Sequence, residues 1–187
     1  GFWVHNNKNA RTEIQAAADF TIQDAWIGLS TKATMFTIQT TSPDGIARTI
    51  TAKTGFAAHA DGACNLDVRG SGTFLCDYTA QAFDNAKAFS GAITVKDTAT
   101  FAVNSEKYPT TGAISVNSEA TFKLAQSGVV TLSGNLSLAD GAALGFNFTD
   151  WNTPPQLALS SGKKLTANGV VNVKISGKIW PKGGEKI

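Results

Sequence analysis

The chain has 187 residues, of which 42% are hydrophobic and only 16% are charged, and its formal net charge is +2. This length suffices for one domain with a buried core. The small charge and scattered lysines exclude the basic stripe of a nucleic-acid-binding protein, and no apolar run is long enough for a membrane-spanning helix. The chain is instead rich in small uncharged residues and in β-branched residues, and this composition favours an all-β fold.

In chain order, residues 1–69 show strand signals without a clear repeat. Segments that begin at Phe20 and Met35 alternate between apolar and polar residues as strands do. The segment Thr12–Ala18 is typical of one helical turn or a short cap. We therefore expect irregular N-terminal strands or a cap in this part of the chain.

The two cysteines, Cys64 and Cys76, are either bridged or two buried thiols. A hairpin that turns near Gly70 would place them opposite each other, and opposed cysteines on paired strands can meet the geometry of a disulfide. In a curled coil they could also meet across the core. A disulfide would indicate an oxidising compartment.

An internal repeat follows, and two of its segments recur at the same offset. Gly91–Val95 recurs as Gly112–Val116, Thr98–Val103 recurs as Glu119–Leu124, and a weaker third copy begins at Gly134. A short fixed period of this kind indicates a solenoid. Each unit consists of two short alternating strands joined by a polar turn.

An antiparallel meander and a coil both fit this unit, but only a coil gives a reason for similar residues at equivalent positions. A coil stacks these residues in two ladders: Ile93, Ile114 and Leu136 in one, and Phe101, Phe122 and Leu144 in the other. We predict an all-β, single-stranded right-handed parallel β-helix with about 20–22 residues per coil, and the alternative is a β-sandwich. One domain is expected over residues 1–187, with the repeats in 70–180.

The repeat region resembles a known family. Gly70–Phe74, Phe83–Val95 and Ala99–Val103 are similar, in order and spacing, to the autotransporter-associated β-strand repeat, and Leu132–Leu138 follows its style. The resemblance implies a passenger-type β-helix of a bacterial protein that is secreted or displayed at the cell surface, outside the outer membrane. A membrane barrel or anchor would then lie outside this sequence. The family usually has Gly-Thr-Leu where this chain has Ala-Thr-Phe, as at Ala120, and its passengers tend to avoid cysteine.

Few residues carry a signal for chemistry. His59 and Asp61, together with Asp67 and Asp77, could form an acidic site in a groove along the parallel strands, as general acid–base catalysis on polysaccharides requires. Asp-Gly pairs are also ordinary turn dipeptides, and Ser71 lacks the flanking pattern of a nucleophile elbow. We therefore expect no catalytic residue, no metal site and no cofactor.

Trp151, in a proline-flanked loop, is the candidate glycan contact, because an indole face can stack on a sugar ring. We expect a non-catalytic structural or adhesive passenger segment that is extracellular and contacts glycans or surface proteins of a host or the environment. Open solenoid ends would permit self-association. The alternatives are a carbohydrate-active β-helix enzyme, such as a polysaccharide lyase or glycoside hydrolase, and a glycan-binding module.

Overall fold

The computed structural model describes residues 11–22, 27–29, 35–53, 56–58, 64–77, 89–104, 112–150 and 152–178. It describes no helix that is long and apolar enough to cross a bilayer. Its regular elements are strands, numbered here in chain order: β1 (Arg11–Gln15), β2 (Phe20–Ile22), β3 (Ile27–Leu29), β4 (Met35–Gln39), β5 (Thr49–Ala52), β6 (Phe56–Ala58), β7 (Asn65–Arg69), β8 (Thr73–Cys76), β9 (Ile93–Val95), β10 (Thr100–Val103), β11 (Ile114–Val116), β12 (Thr121–Leu124), β13 (Gly128–Leu132), β14 (Leu136–Leu138), β15 (Ala143–Phe148), β16 (Pro155–Leu159), β17 (Leu165–Ala167) and β18 (Asn172–Gly177).

Two parallel sheets of seven strands each form the body of the molecule. The first has the order β1-β4-β7-β9-β11-β14-β17, and the second has the order β2-β5-β8-β10-β12-β15-β18. The chain alternates between them, so each strand pairs with its equivalent one coil later and not with its neighbour in sequence. This parallel β-solenoid confirms the predicted coil. The β-sandwich alternative is wrong, because sandwich strands pair antiparallel. Two smaller parallel pairs, β3-β6 and β13-β16, complete the described strands.

Both predicted ladders are present. The strand register stacks equivalent residues of successive coils as follows: Ile93, Ile114 and Leu136 in the first sheet, and Phe101, Phe122 and Leu144 in the second. Phe74 extends the second ladder by one coil, with its ring centroid 5.9 Å from that of Phe101 in a stacked arrangement. The rings of Phe101 and Phe122 are 6.0 Å apart and tilted. All three rings are fully buried between the sheets.

The ladders continue on both sides of the repeat region. In the second sheet the residues in register from coil to coil are Phe20, Ile50, Phe74, Phe101, Phe122, Leu144 and Val173. Their spacing in sequence is shortest on either side of Phe122. There it matches the predicted coil length of about 20–22 residues, and the other coils are longer. The extra residues lie in the connections, so the strands keep their register.

The N-terminal residues join the same stack. The helical turn predicted for residues 12–18 is wrong, because residues 11–15 form β1 and pair in parallel with β4. In this register Ile14 lies beside Ile38 and packs against the core. The Ala16 N–H then donates to the carbonyl of Gln39. Pairing with the next coil satisfies the backbone groups that a helical turn would have satisfied locally.

Close stacking of the coils explains the glycine that begins each of the first two repeat units. A Cβ atom at Gly112 would lie 1.9 Å from the carbonyl oxygen of Gly91, and one at Gly91 would lie 2.0 Å from the carbonyl oxygen of Cys64. Backbone oxygen atoms cannot move aside as a flexible side chain can. Only glycine therefore fits at these two positions.

The turns between the sheets use left-handed residues. Residues 117–120 and 139–142 each form a tight turn closed by a backbone hydrogen bond between the first and last residue. The third residue of each turn has positive φ: 67° at Glu119 and 78° at Gly141. A type II turn requires this conformation, which glycine adopts without strain and glutamate does not.

At its C-terminal end the described solenoid has an uncovered core face. Leu165, Val173 and Ile175 occupy the ladder positions that follow Leu136, Leu144 and Phe146. Their exposed fractions are 44%, 64% and 56%. Strands β17 and β18 end their sheets, so no described coil packs over these side chains.

Candidate functional site

The outward face of the first sheet carries a polar column near the N-terminal end of the solenoid. Glu13, Thr37 and Asp67 lie in register on β1, β4 and β7. They point away from the core, because their strand neighbours, such as Leu66 and Val68, are fully buried within it. Two strand spacings, about 10 Å between Cα atoms, separate Glu13 from Asp67. The column continues with hydroxyl side chains on the next strands: Thr94, Ser115 and Ser137.

Asp67 is buried although it points outward from the sheet, with only 1% of its surface exposed. The Lys96 Nζ lies 2.5 Å from Asp67 Oδ2, and the Arg69 Nη2 lies 3.0 Å from the same oxygen. The Arg69 Nε also donates to Oδ2, at 3.3 Å. Two cations thus converge on one carboxylate oxygen and hold the side chain in place.

The other oxygen of the same carboxylate has no such partner. Asp67 Oδ1 is buried and accepts no hydrogen bond from any residue that the structure describes. Buried polar atoms are nearly always hydrogen-bonded, and leaving one unpaired is costly. Asp67 Oδ1 is therefore an acceptor that another donor would satisfy.

A cavity of about 160 Å³ adjoins this carboxylate. It lies over β1, β4 and β7, and Lys96 borders it just after β9. Seven of the described residues line it: Thr12, Glu13, Met35, Thr37, Asp67, Arg69 and Lys96. The two acidic and two basic groups balance in charge, so the cavity is polar but close to neutral.

A second buried carboxylate, Asp77, provides an internal comparison. Its Oδ2 lies 2.5 Å from the Lys53 Nζ, and its Oδ1 accepts a hydrogen bond of 3.2 Å from the Asn104 side-chain amide. Lys53 and Asn104 belong to the coils on either side of Asp77. Both oxygens of Asp77 therefore have donors, unlike those of Asp67.

Comparison with known proteins assigns no role to these residues. No family model, curated protein or solved structure matches this chain. The parallel β-solenoid is established by its own strand pairing, and the autotransporter-type resemblance stays a hypothesis. Among the described residues, no group of three or more His, Cys, Asp and Glu side chains is arranged to hold a metal ion.

The structure does not bring together Asp67 and Asp77, the two described members of the acidic site considered in the sequence analysis. Asp67 lies in the first sheet, whereas Asp77 directly follows β8 of the second sheet, and each has its own lysine. His59 and Asp61 lie outside the described residues. The candidate glycan contact, Trp151, lies outside them as well, so its role stays a prediction.

The hairpin near Gly70 that would place Cys64 opposite Cys76 is wrong. Cys64 precedes β7 and Cys76 ends β8, and these strands belong to different sheets because the turn at Gly70 carries the chain from one to the other. Both cysteines are buried, and the structure has no disulfide between them. Burial raises the pKa of the Cys64 thiol to about 11, so this thiol keeps its proton at neutral pH.

The sequence analysis did not identify the cations that hold Asp67. Arg69 comes two positions after Asp67, so alternation along a strand places both on one face. That local signal was available in the sequence. Lys96 comes one coil later, and its approach to Asp67 depends on the long coil between Asp67 and Thr94, which the repeat does not predict.

Proposed function

We propose that this chain is a non-catalytic structural or adhesive spacer, a passenger-type segment of a bacterial protein exported to the cell surface. The observation that carries the proposal is the pair of in-register ladders, which run through seven strands in each sheet. In such a stack each coil covers the next, so stability comes from contacts between neighbours and the unit can extend in one direction. That property suits a spacer that holds other segments of the protein away from the cell surface.

The outward positions support the same proposal. Thr94, Ser115 and Ser137 form a row of small hydroxyl side chains on the first sheet. Such residues present a solvated, weakly charged surface along the solenoid. The motifs shared with autotransporter-associated repeats favour export.

Surface display of the full chain tests the proposal. The chain is placed between a signal peptide and the outer-membrane barrel of an autotransporter host, and its exposure on intact cells is measured by antibody binding and resistance to added protease. We expect the native chain to be displayed and resistant. Val173→Asp, at the exposed end, should behave in the same way, whereas Phe122→Asp in the buried ladder should be degraded. Retention of the native chain inside the cell, or its display in a protease-sensitive form, would contradict the proposal.

A carbohydrate-active enzyme is the second candidate, because Glu13 and Asp67 lie on one outward column. Inverting glycosidases hold two carboxyl groups roughly 6.5–9.5 Å apart, and the Cα separation of about 10 Å is compatible with this range. Incubation with a panel of polysaccharides, followed by assays for new reducing ends and unsaturated products, tests this candidate. Turnover that is lost in Glu13→Gln would replace the spacer proposal with an enzymatic one.

A further inference from the structure

The cavity beside Asp67 has the features of a ligand site. Asp67 lines it, and this carboxylate has a buried oxygen, Oδ1, that no described residue satisfies, although its other oxygen is satisfied by both Lys96 and Arg69. In Asp77, which is equally paired with a lysine, both oxygens have donors. The fold can therefore satisfy both oxygens of a buried carboxylate. Asp67 Oδ1 differs because it has no donor among the described residues and can accept a hydrogen bond from a ligand.

The charges around the cavity select the class of ligand. The described residues of its lining include two acidic and two basic side chains: Glu13, Asp67, Arg69 and Lys96. A metal cation at Asp67 would be opposed by both Lys96 and Arg69, and an anion would be opposed by Glu13. A neutral molecule with hydroxyl groups avoids both penalties, because hydroxyls donate to carboxylates and accept from ammonium and guanidinium groups.

The size of the cavity limits that molecule to about one ring. A cavity of roughly 150 Å³ in another protein accommodates benzene, and this one measures about 160 Å³. Met35 adds an apolar surface for the C–H groups of a ring. Asp67 Oδ1 has almost no accessible surface, so a neighbouring side chain must shift before a hydroxyl reaches it. Lys96 and Arg69, with 27% and 41% of their side chains exposed, have solvent on one side into which they can move.

We propose that the cavity binds a single neutral, polyhydroxylated six-membered ring, such as one hexose unit, and that Asp67 Oδ1 accepts a hydrogen bond from one of its hydroxyls. Glu13 and Thr37 contact further hydroxyls from the neighbouring coils. The site goes beyond the spacer function and does not depend on it, because a spacer with or without this site would be displayed in the same way.

Ligand-observed NMR on the full chain provides the test. The probes are glucose, galactose, mannose, N-acetylglucosamine and myo-inositol, with glucuronate and glucosamine as charged counterparts and calcium chloride as a cation. We expect at least one neutral ring to show saturation transfer and to bind at least tenfold more tightly than its charged counterpart. Absence of binding by every neutral ring, or tighter binding of glucuronate, glucosamine or calcium, would overturn the proposal.

Matched variants connect the binding to this cavity. Asp67→Asn keeps the shape of the side chain and should weaken binding at least tenfold, whereas Asp77→Asn, at the fully paired carboxylate, should leave it unchanged. Met35→Trp fills the cavity while both ion pairs of Asp67 remain, and it should abolish binding even if Asp67→Asn proves too unstable to measure. Binding that survives Met35→Trp, or that falls equally in the two Asp→Asn variants, would place the ligand elsewhere.

Discussion

Replacing Phe122 with alanine tests whether the buried ladder stabilises the solenoid. Phe122 is 0% exposed and lies between Phe101 and Leu144 in the second sheet. Removing a buried phenylalanine ring costs about 3–5 kcal/mol, through lost burial and the cavity that remains. The ring contact with Phe101, at 6.0 Å, accounts for roughly 0.5–1.5 kcal/mol beyond burial. We therefore expect Phe122→Ala to lower the free energy of unfolding by about 4 kcal/mol.

Val173→Ala is the matched control, because Val173 continues the same ladder after Leu144 but is 64% exposed. Its expected cost is below about 0.5 kcal/mol. Urea unfolding of the full chain, followed by far-UV circular dichroism, measures both changes. Equal losses in the two variants, or a loss below about 1 kcal/mol for Phe122→Ala, would refute the stacking argument.

Three further predictions concern the backbone and the core. Gly112→Ala should cost about 1–3 kcal/mol in the same urea assay, because its Cβ would lie 1.9 Å from the Gly91 carbonyl oxygen; an unchanged midpoint would contradict it. Glu119→Gly should raise the thermal midpoint by relieving about 1 kcal/mol of strain at φ 67°. Asp97→Gly should gain less, because Asp97 Oδ2 accepts a hydrogen bond from the Gly70 N–H, and a larger gain there would be inconsistent with this reasoning. Burial raises the pKa of the Cys64 thiol from 9.0 to about 11. The unfolded chain therefore loses this proton first, and stability that is fully present below pH 9 should fall by about 2–3 kcal/mol between pH 9 and 11. Cys64→Ala should not show this fall in stability. The same pH dependence in the native chain and in Cys64→Ala would contradict the prediction.

The coil itself was predictable from the sequence because two successive coils have nearly equal lengths. Ile93, Ile114 and Leu136 follow one another at almost the same interval, so the repeat is visible without alignment. On the N-terminal side the intervals are longer and uneven, as the ladder positions Phe20 and Ile50 show. Connections of unequal length hide the period, and the sequence of residues 1–69 therefore fits irregular strands or a cap equally well.

Local patterns could not decide how strands joined by a tight turn are arranged. The turn at Gly70, with φ 96°, suits a hairpin and a change of sheet equally well. Alternation of apolar residues is the same in both cases, so the sequence alone leaves open whether Cys64 and Cys76 face each other. The choice depends on whether an equivalent coil is available for pairing, which is a property of the whole chain.

The candidate site was only partly predictable. Asp67 was considered as a site residue, but its neighbours Lys96 and Glu13 come from other coils. The cavity exists because four successive coils, separated by unequal intervals in sequence, place these residues on one face. Its position is therefore a result of three-dimensional stacking, and no motif in the sequence encodes it.

Unequal coil lengths on a constant register have a consequence for variation of this molecule. The connection from β8 to β9 covers positions 77–92, whereas the shorter one from β10 to β11 covers positions 104–113, yet both deliver the chain to the next strand in register. Insertions and deletions in such connections should leave the pairing of the strands intact. The stacked strands thus form a constant frame, while the length of the segments that join them can change through natural selection or protein engineering.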